Sequence, residues 1–169
     1  MAYRDGPQGF GGWLIFLVVI YCVLTPLAEL FAIIDLVAGP TSDILRPIVS
    51  NWSLFVGTYM ALIALELGML WFMGYRLAKV HSPRTVRIAL VIIWINTLVM
   101  PPMGLALISI FTGSAYLPLL SGTFAEAPAE LIRPAVWAVI WTLYFFNSRR
   151  VANTYREGAD EEGLEEVFT

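Results

Sequence analysis

The sequence predicts an all-α integral membrane protein, a four-helix bundle, and three observations support this fold class. The 169 residues are 59% hydrophobic and only 14% charged, whereas a soluble domain carries about 25% charged residues. About 20 apolar residues cross the hydrocarbon core as one helix. The apolar residues form four runs of about this length, at about 13–34, 54–75, 88–111 and 128–148. We therefore predict that residues 1–156 form one transmembrane domain without a soluble domain.

The first run is predicted to be a retained helix and not a secretory signal. It is longer than the apolar stretch of about 7–15 residues in a signal, and no small-residue cleavage site follows it. Pro26 should bend or locally open this helix, and the Thr25 hydroxyl can then donate to a freed carbonyl. After a turn at 39–43, a short interfacial helix is predicted at Ile44–Val49.

The second and third runs each contain one strongly polar residue at depth. Glu66 is the single charge of the second run, and Asn96 lies in the third. The loop between the two runs, Arg76–Arg87, carries four cations and no acid. Pro101–Pro102 interrupts the third run, and because proline has no backbone N–H, a kink or break is predicted there.

The fourth run, 128–148, contains Arg133 near its start. Pro128 suits the first helical position. The helix is predicted to continue into the cytoplasm through 149–156. The tail that follows, 157–169, carries six of the 13 acidic residues and is predicted to be disordered.

The positive charges predict the orientation of the chain. Cytoplasmic loops carry an excess of Lys and Arg. Eight of the ten cations fall on one side of the predicted topology, at Arg4, 76–87 and 149–156, and Arg46 and Arg133 lie on the other. The sequence therefore predicts that both termini are cytoplasmic.

Counting residues from the cytoplasmic end of each run predicts which polar side chains meet in the membrane. Glu66 and Asn96 each lie nine residues from that end, about 13 Å deep. We expect them to meet or to share a water. Glu29 and Arg133 both count to the outer boundary, where they are expected to form an ion pair, with Arg46 as a competing partner. A lone buried charge would cost several kcal/mol, so pairing or neutralisation is expected.

Two roles remain open for Glu66 and Asn96. One is a proton or substrate site, and the other, which we favour, is a structural hydrogen bond that fixes helix packing. The sequence contains no nucleophile–base pair, no phosphate-binding glycine loop and no metal-ligand spacing. We therefore expect no enzymatic activity, no cofactor, no metal and no nucleic-acid partner.

Two short motifs mark the ends of the apolar region. The first run opens with Gly11-Gly12-Trp13-Leu14. The fourth run ends in the pattern W-x-x-Y-F-x-x-S-x-R-V-x-x-T-F, at Trp141, Tyr144, Phe145, Ser148, Arg150, Val151 and Thr154. Tyr155 stands where the pattern has Phe. With the basic loop before the third run, these motifs resemble the YdgK-like family of small bacterial inner-membrane proteins.

The resemblance implies a multi-pass protein of the bacterial inner membrane with four helices. It implies no activity, because the family is a domain of unknown function. Both motifs fall at the predicted cytoplasmic surface, so we expect Trp13 to pack against the C-terminal motif. Trp13 and Tyr144 on opposite sides of the bundle would contradict this hypothesis.

The function we expect is association inside the membrane. The chain is predicted to be a non-enzymatic accessory or interaction subunit, surrounded by the lipid bilayer and bound to another protein or to a second copy. The alternative is a small transporter or a membrane protein that binds a lipid or small molecule at Glu66 and Asn96. A water-accessible cavity at Glu66 favours the alternative, and a dry, tightly packed Glu66 counts against it.

Overall fold

The structure is a computed structural model that describes residues 9–113, 132 and 134–155. Within these residues the chain is all-helical. In chain order the helices are α1 (Trp13–Ala38), α2 (Pro40–Leu45), α3 (Trp52–Lys79), α4 (Pro83–Thr112), α5 (Pro134–Asn147) and α6 (Arg149–Thr154). Helices α1, α3 and α4, of 26, 28 and 30 residues, are long and apolar enough to cross a membrane. The predicted start of the fourth span, with Arg133, lies outside the described residues.

The long apolar helices begin where local signals allow. The side chain of Asn51 caps α3 by accepting a hydrogen bond from the N–H of Leu54 at 3.1 Å. Pro83 occupies the first turn of α4, where its missing N–H costs nothing, and α4 therefore starts before the apolar run that begins near residue 88.

The prediction of a short helix at Ile44–Val49 is wrong in position. The helix after the first span is α2, and residues 46–48 form a turn. Gly39 is extended (φ −107°, ψ −172°) and ends α1, and Pro40 then takes the first helical position. The helix restarts at once because proline already has a helical φ.

A π-helical segment, Ile20–Leu24, confirms the predicted opening of α1 near Pro26. Pro26 has no N–H to donate to the carbonyl of Cys22, four residues earlier. The indole Nε1–H of Trp71 donates to that carbonyl instead, at 3.1 Å. The Thr25 hydroxyl donates to the carbonyl of the first residue of the segment, also at 3.1 Å. The cost of the proline is thus offset by a bond from α3.

Helix α4 is divided at Val99, which has φ −104° and ψ −44°. The division confirms the predicted break but lies two residues before Pro101–Pro102. The prolines lie in the first turn of the second half, Met100–Thr112, where donors are not required.

The apolar core consists of two clusters. The first, the basic-end cluster, has as its buried members Leu14, Leu17, Tyr21, Leu70, Met73, Leu77, Ala89, Ile92, Ile93, Ala138, Trp141, Phe145, Val151 and Tyr155. The second, the far-end cluster, has as its buried members Leu36, Leu45, Val49 and Phe55. Between them lie residues 22–35, 60–68 and 95–106, which we call the waist; it contains Glu29, Glu66 and Asn96.

Candidate functional site

Glu66 and Asn96 are in contact, as counting from the helix ends predicts. The Nδ2 of Asn96 donates to Oε1 of Glu66 at 2.5 Å. Glu66 lies at the middle of the 28 residues of α3, and Asn96 lies three residues before the break at Val99. The bond therefore joins α3 and α4 at about the midpoint of both helices.

Glu29 lies in the segment of α1, Thr25–Ala38, that packs against α3, the helix that carries Glu66. Counting placed Glu29 at the outer boundary, but α1 continues to Ala38, which adds about 13 Å of helix beyond it. The expected ion pair with Arg133 involves a residue outside the described part of the chain and stays a prediction.

The polar side chains of the waist are only partly buried. Glu29, Glu66 and Asn96 are each half-buried, and Gly68 and Gly104 face open space. A carboxyl group in apolar surroundings does not ionise readily, because burial penalises the charge. The site can therefore hold a proton or accept hydrogen bonds from another molecule. Within the described residues, no group of three or more His, Cys, Asp or Glu could hold a metal ion.

The two end motifs pack together, which confirms the expected contact. The rings of Trp13 and Trp141 lie edge to face with centroids 6.3 Å apart. The guanidinium of Arg150 lies against the backbone of Gly11. Gly12 has φ +57°, a conformation that favours glycine over other residues.

Tyr155 fixes the end of the C-terminal motif to α3. Its hydroxyl donates to the carbonyl of Leu77, which lies in the last turn of α3, where carbonyls have no intrahelical donor. The side chain is only 3% exposed, and its ring meets the His81 ring with centroids 5.8 Å apart. Burial, with a smaller contribution from Tyr144, raises the pKa of Tyr155 above its ordinary value, so the hydroxyl remains a proton donor.

The fourth helix does not continue through residues 149–156, and this prediction is wrong. Helix α5 ends at Asn147 and a separate helix, α6, follows. Ser148 is extended (φ −77°, ψ 118°) and caps α6, accepting a hydrogen bond from the N–H of Val151 at 3.4 Å. The N–H of Gly9 donates to the Thr154 hydroxyl at 3.0 Å and ties the start of the described chain to α6.

The remaining motif residues divide between the core and its edge. Phe145 is buried in the basic-end cluster, and Tyr144, which is half-buried, packs against it. Their rings are 6.1 Å apart between centroids. Both residues therefore serve the packing of the basic-end cluster.

Sequence reasoning missed a close contact between α1 and α3. A side chain at Gly74 of α3 would collide with the Sγ of Cys22 and contact Val18 of α1. The thiol of Cys22 also donates to the carbonyl of Leu70 at 3.4 Å. The available signal was a small residue in an apolar helix, since glycine lets backbones approach closely in membranes. A second missed contact joins α4 to α5, where the indole of Trp94 donates to the Thr142 hydroxyl at 3.1 Å.

Comparison with known proteins yields one match. A family model described as "Protein of unknown function (DUF2569)" matches residues 7–156. No curated protein and no solved structure matches the chain. The matched segment includes both end motifs and all the waist residues.

Proposed function

The chain belongs to the family "Protein of unknown function (DUF2569)", and from this premise we propose that it is a non-enzymatic accessory subunit that acts by association inside a membrane. The partner is another membrane protein or a second copy of the chain. The proposal includes a four-helix bundle in the bacterial inner membrane, as the YdgK-like resemblance implies, with both termini in the cytoplasm.

The half-buried Glu66–Asn96 pair is the observation that carries this proposal. Polar side chains at bilayer depth usually face another protein segment, because lipid offers no hydrogen-bond partner. Here the pair lies between two apolar clusters, and both of its side chains are partly accessible. A hydrogen-bonding side chain on a partner helix would cover it, and such bonds between membrane helices stabilise association by about 1–2 kcal/mol in model peptides.

Exposed apolar side chains support a lipid environment. Phe31, Ile110 and Phe146 are between 70% and 75% exposed. A water-soluble protein rarely exposes large apolar patches. The Glu66–Asn96 pair is thus the group that lipid would cover least favourably.

Substitution of Glu66 tests the association. Glu66→Leu should reduce the amount of co-purifying partner roughly fivefold to thirtyfold in a mild detergent, the equivalent of about 1–2 kcal/mol. Glu66→Gln should retain the partner, because the amide still forms hydrogen bonds. Leu65→Ala, at the neighbouring lipid-exposed position, is the control. Size-exclusion chromatography verifies folding; a folded Glu66→Leu protein that keeps every partner contradicts the proposal.

A second candidate function is transport or binding of a lipid or small molecule at Glu66 and Asn96. It is favoured by two helix interruptions at the waist, the π-helical segment in α1 and the break at Val99. Interrupted helices often line substrate and ion sites in transporters. Glutamine cannot carry a proton, so a proton-coupled function would be lost in both Glu66→Gln and Glu66→Leu. Association would be lost only in the leucine variant, and the two variants therefore separate the functions.

The orientation is tested with single cysteines. In a Cys22→Ser background, Asp43→Cys should react with a membrane-impermeant thiol reagent on intact cells, and Lys79→Cys should react only after lysis. Both native side chains are exposed. Asp43 lies in α2, before the start of α3, and Lys79 is the last residue of α3. Labelling of Lys79→Cys on intact cells would reverse the proposed topology.

A further inference from the structure

The described cations are concentrated at one end of the molecule. At the basic end lie Arg76, Lys79, Arg84, Arg87, Arg149 and Arg150, which we call the basic surface. Arg46 lies at the far end. The acids within residues 9–113, 132 and 134–155 are Glu29, Asp35, Asp43 and Glu66, all in the waist or at the far end. The basic surface therefore carries positive charge that no described acid neutralises.

Three buried side-chain nitrogens in the described residues near the basic surface have no hydrogen-bond partner. Within the described part of the chain, Arg76 Nε, His81 Nε2 and Asn153 Nδ2 are buried without a hydrogen-bond partner. Arg76 is nevertheless held in place, because its Nη2 donates to the Thr85 hydroxyl at 3.4 Å. An unpaired buried donor costs about 1–3 kcal/mol. This end of the molecule is thus short of acceptor groups.

The start of α4 adds to the same imbalance. Ser82, the residue that precedes its first turn, makes no side-chain cap bond to the helix backbone. Arg84 and Arg87, in the first two turns of α4, are both exposed. A helix N-terminus carries a partial positive charge and attracts anions. The cations, the unpaired donors and the helix start favour the same kind of ligand, an anion with several acceptor oxygens.

We propose that the basic surface binds the phosphate headgroups of anionic phospholipids. A phosphate group is negative and offers only acceptors, so it complements the exposed arginines of the basic surface. A soluble phosphate shares this chemistry, but the surroundings favour a lipid. Phe72, whose ring lies 5.7 Å from the Arg76 guanidinium, is 49% exposed, and Tyr75 is 64% exposed. These aromatic side chains next to the cations are suited to acyl chains and to the headgroup boundary.

Lipid binding by the full-length protein tests the proposal. Native mass spectrometry from mild detergent measures retained phosphatidylglycerol against retained phosphatidylcholine. The wild type should prefer phosphatidylglycerol. The double variant Arg84→Gln with Arg87→Gln should bind phosphatidylglycerol roughly thirtyfold more weakly, about fivefold for each cation. Arg46→Gln, at the far end, is the matched control and should bind as the wild type does.

Two outcomes would overturn the proposal. The first is equal phosphatidylglycerol binding by the double variant and the wild type, or an equal loss in Arg46→Gln. The second is displacement of the lipid by inorganic phosphate at comparable concentration, which would indicate a site for a soluble anion. Lipid binding that inorganic phosphate does not displace supports the proposal.

Discussion

Replacement of Tyr155 by alanine is expected to lower the free energy of unfolding by about 3–5 kcal/mol, the usual cost of removing a buried aromatic ring. Tyr155 belongs to the basic-end cluster and is the last residue that the structure describes. Its ring contacts the His81 ring, and its hydroxyl satisfies the Leu77 carbonyl at the end of α3. Alanine removes both contacts at once and detaches α6 from α3.

Tyr155→Phe separates the ring from the hydroxyl. Phenylalanine keeps the packing and leaves the Leu77 carbonyl without its donor, so about 1 kcal/mol should be lost. Unfolding by denaturant in a mild detergent, followed by fluorescence, measures both variants. Equal losses for Ala and Phe would show that the hydroxyl, and not the ring, fixes this end.

Gly74→Leu is also expected to lower the free energy of unfolding strongly. Cys22 and Val18 of α1 occupy the space that a side chain at Gly74 would need. Because Gly74 faces a packed helix, leucine must separate α1 from α3, at a cost of about 3 kcal/mol or more. The same separation would lengthen the bond from Trp71 to the Cys22 carbonyl, which is 3.1 Å long. The free energy of unfolding in mild detergent is again the measurement.

Gly68→Leu is the matched control for this substitution. It lies on the same helix but faces open space, so leucine should be neutral or slightly stabilising, as expected from helix propensity. A further comparison uses the smaller Gly74→Ala. Its loss of stability should be partly recovered by Cys22→Ala, which removes the sulfur that a Cβ at residue 74 would meet. If Gly68→Leu and Gly74→Leu destabilise equally, helix propensity or insertion, and not the α1–α3 contact, explains the result.

The sequence predicted the elements that depend on composition and local chemistry. Three long apolar helices follow from runs too long for anything else. The interruption near Pro26 and the one before Pro101–Pro102 follow from the missing N–H of proline. The Glu66–Asn96 contact could be predicted because a short loop makes α3 and α4 antiparallel, so equal counts give equal depths. The absence of an enzymatic activity stays a prediction.

Other features could not be predicted because they depend on which helix faces which. The Cys22 carbonyl needs a donor, and local sequence suggests Thr25, yet Trp71 of α3 supplies it. Glu29 was assigned to the outer boundary because the apolar run ends near residue 34, but helical hydrogen bonding continues to Ala38. Ser148 could have extended the last helix; it instead caps a new one, which allows Tyr155 to reach Leu77.

By itself, then, the sequence determined that the chain forms long apolar helices, because the length of an apolar run and the hydrogen-bonding needs of the backbone are properties of the chain alone. It also determined that Glu66 and Asn96 meet. The tertiary structure decided the rotation and spacing of the helices, through the close contact of Gly74 with Cys22 and the bond from Tyr155 to Leu77. Those features arise from side chains far apart in sequence that meet only when the helices pack.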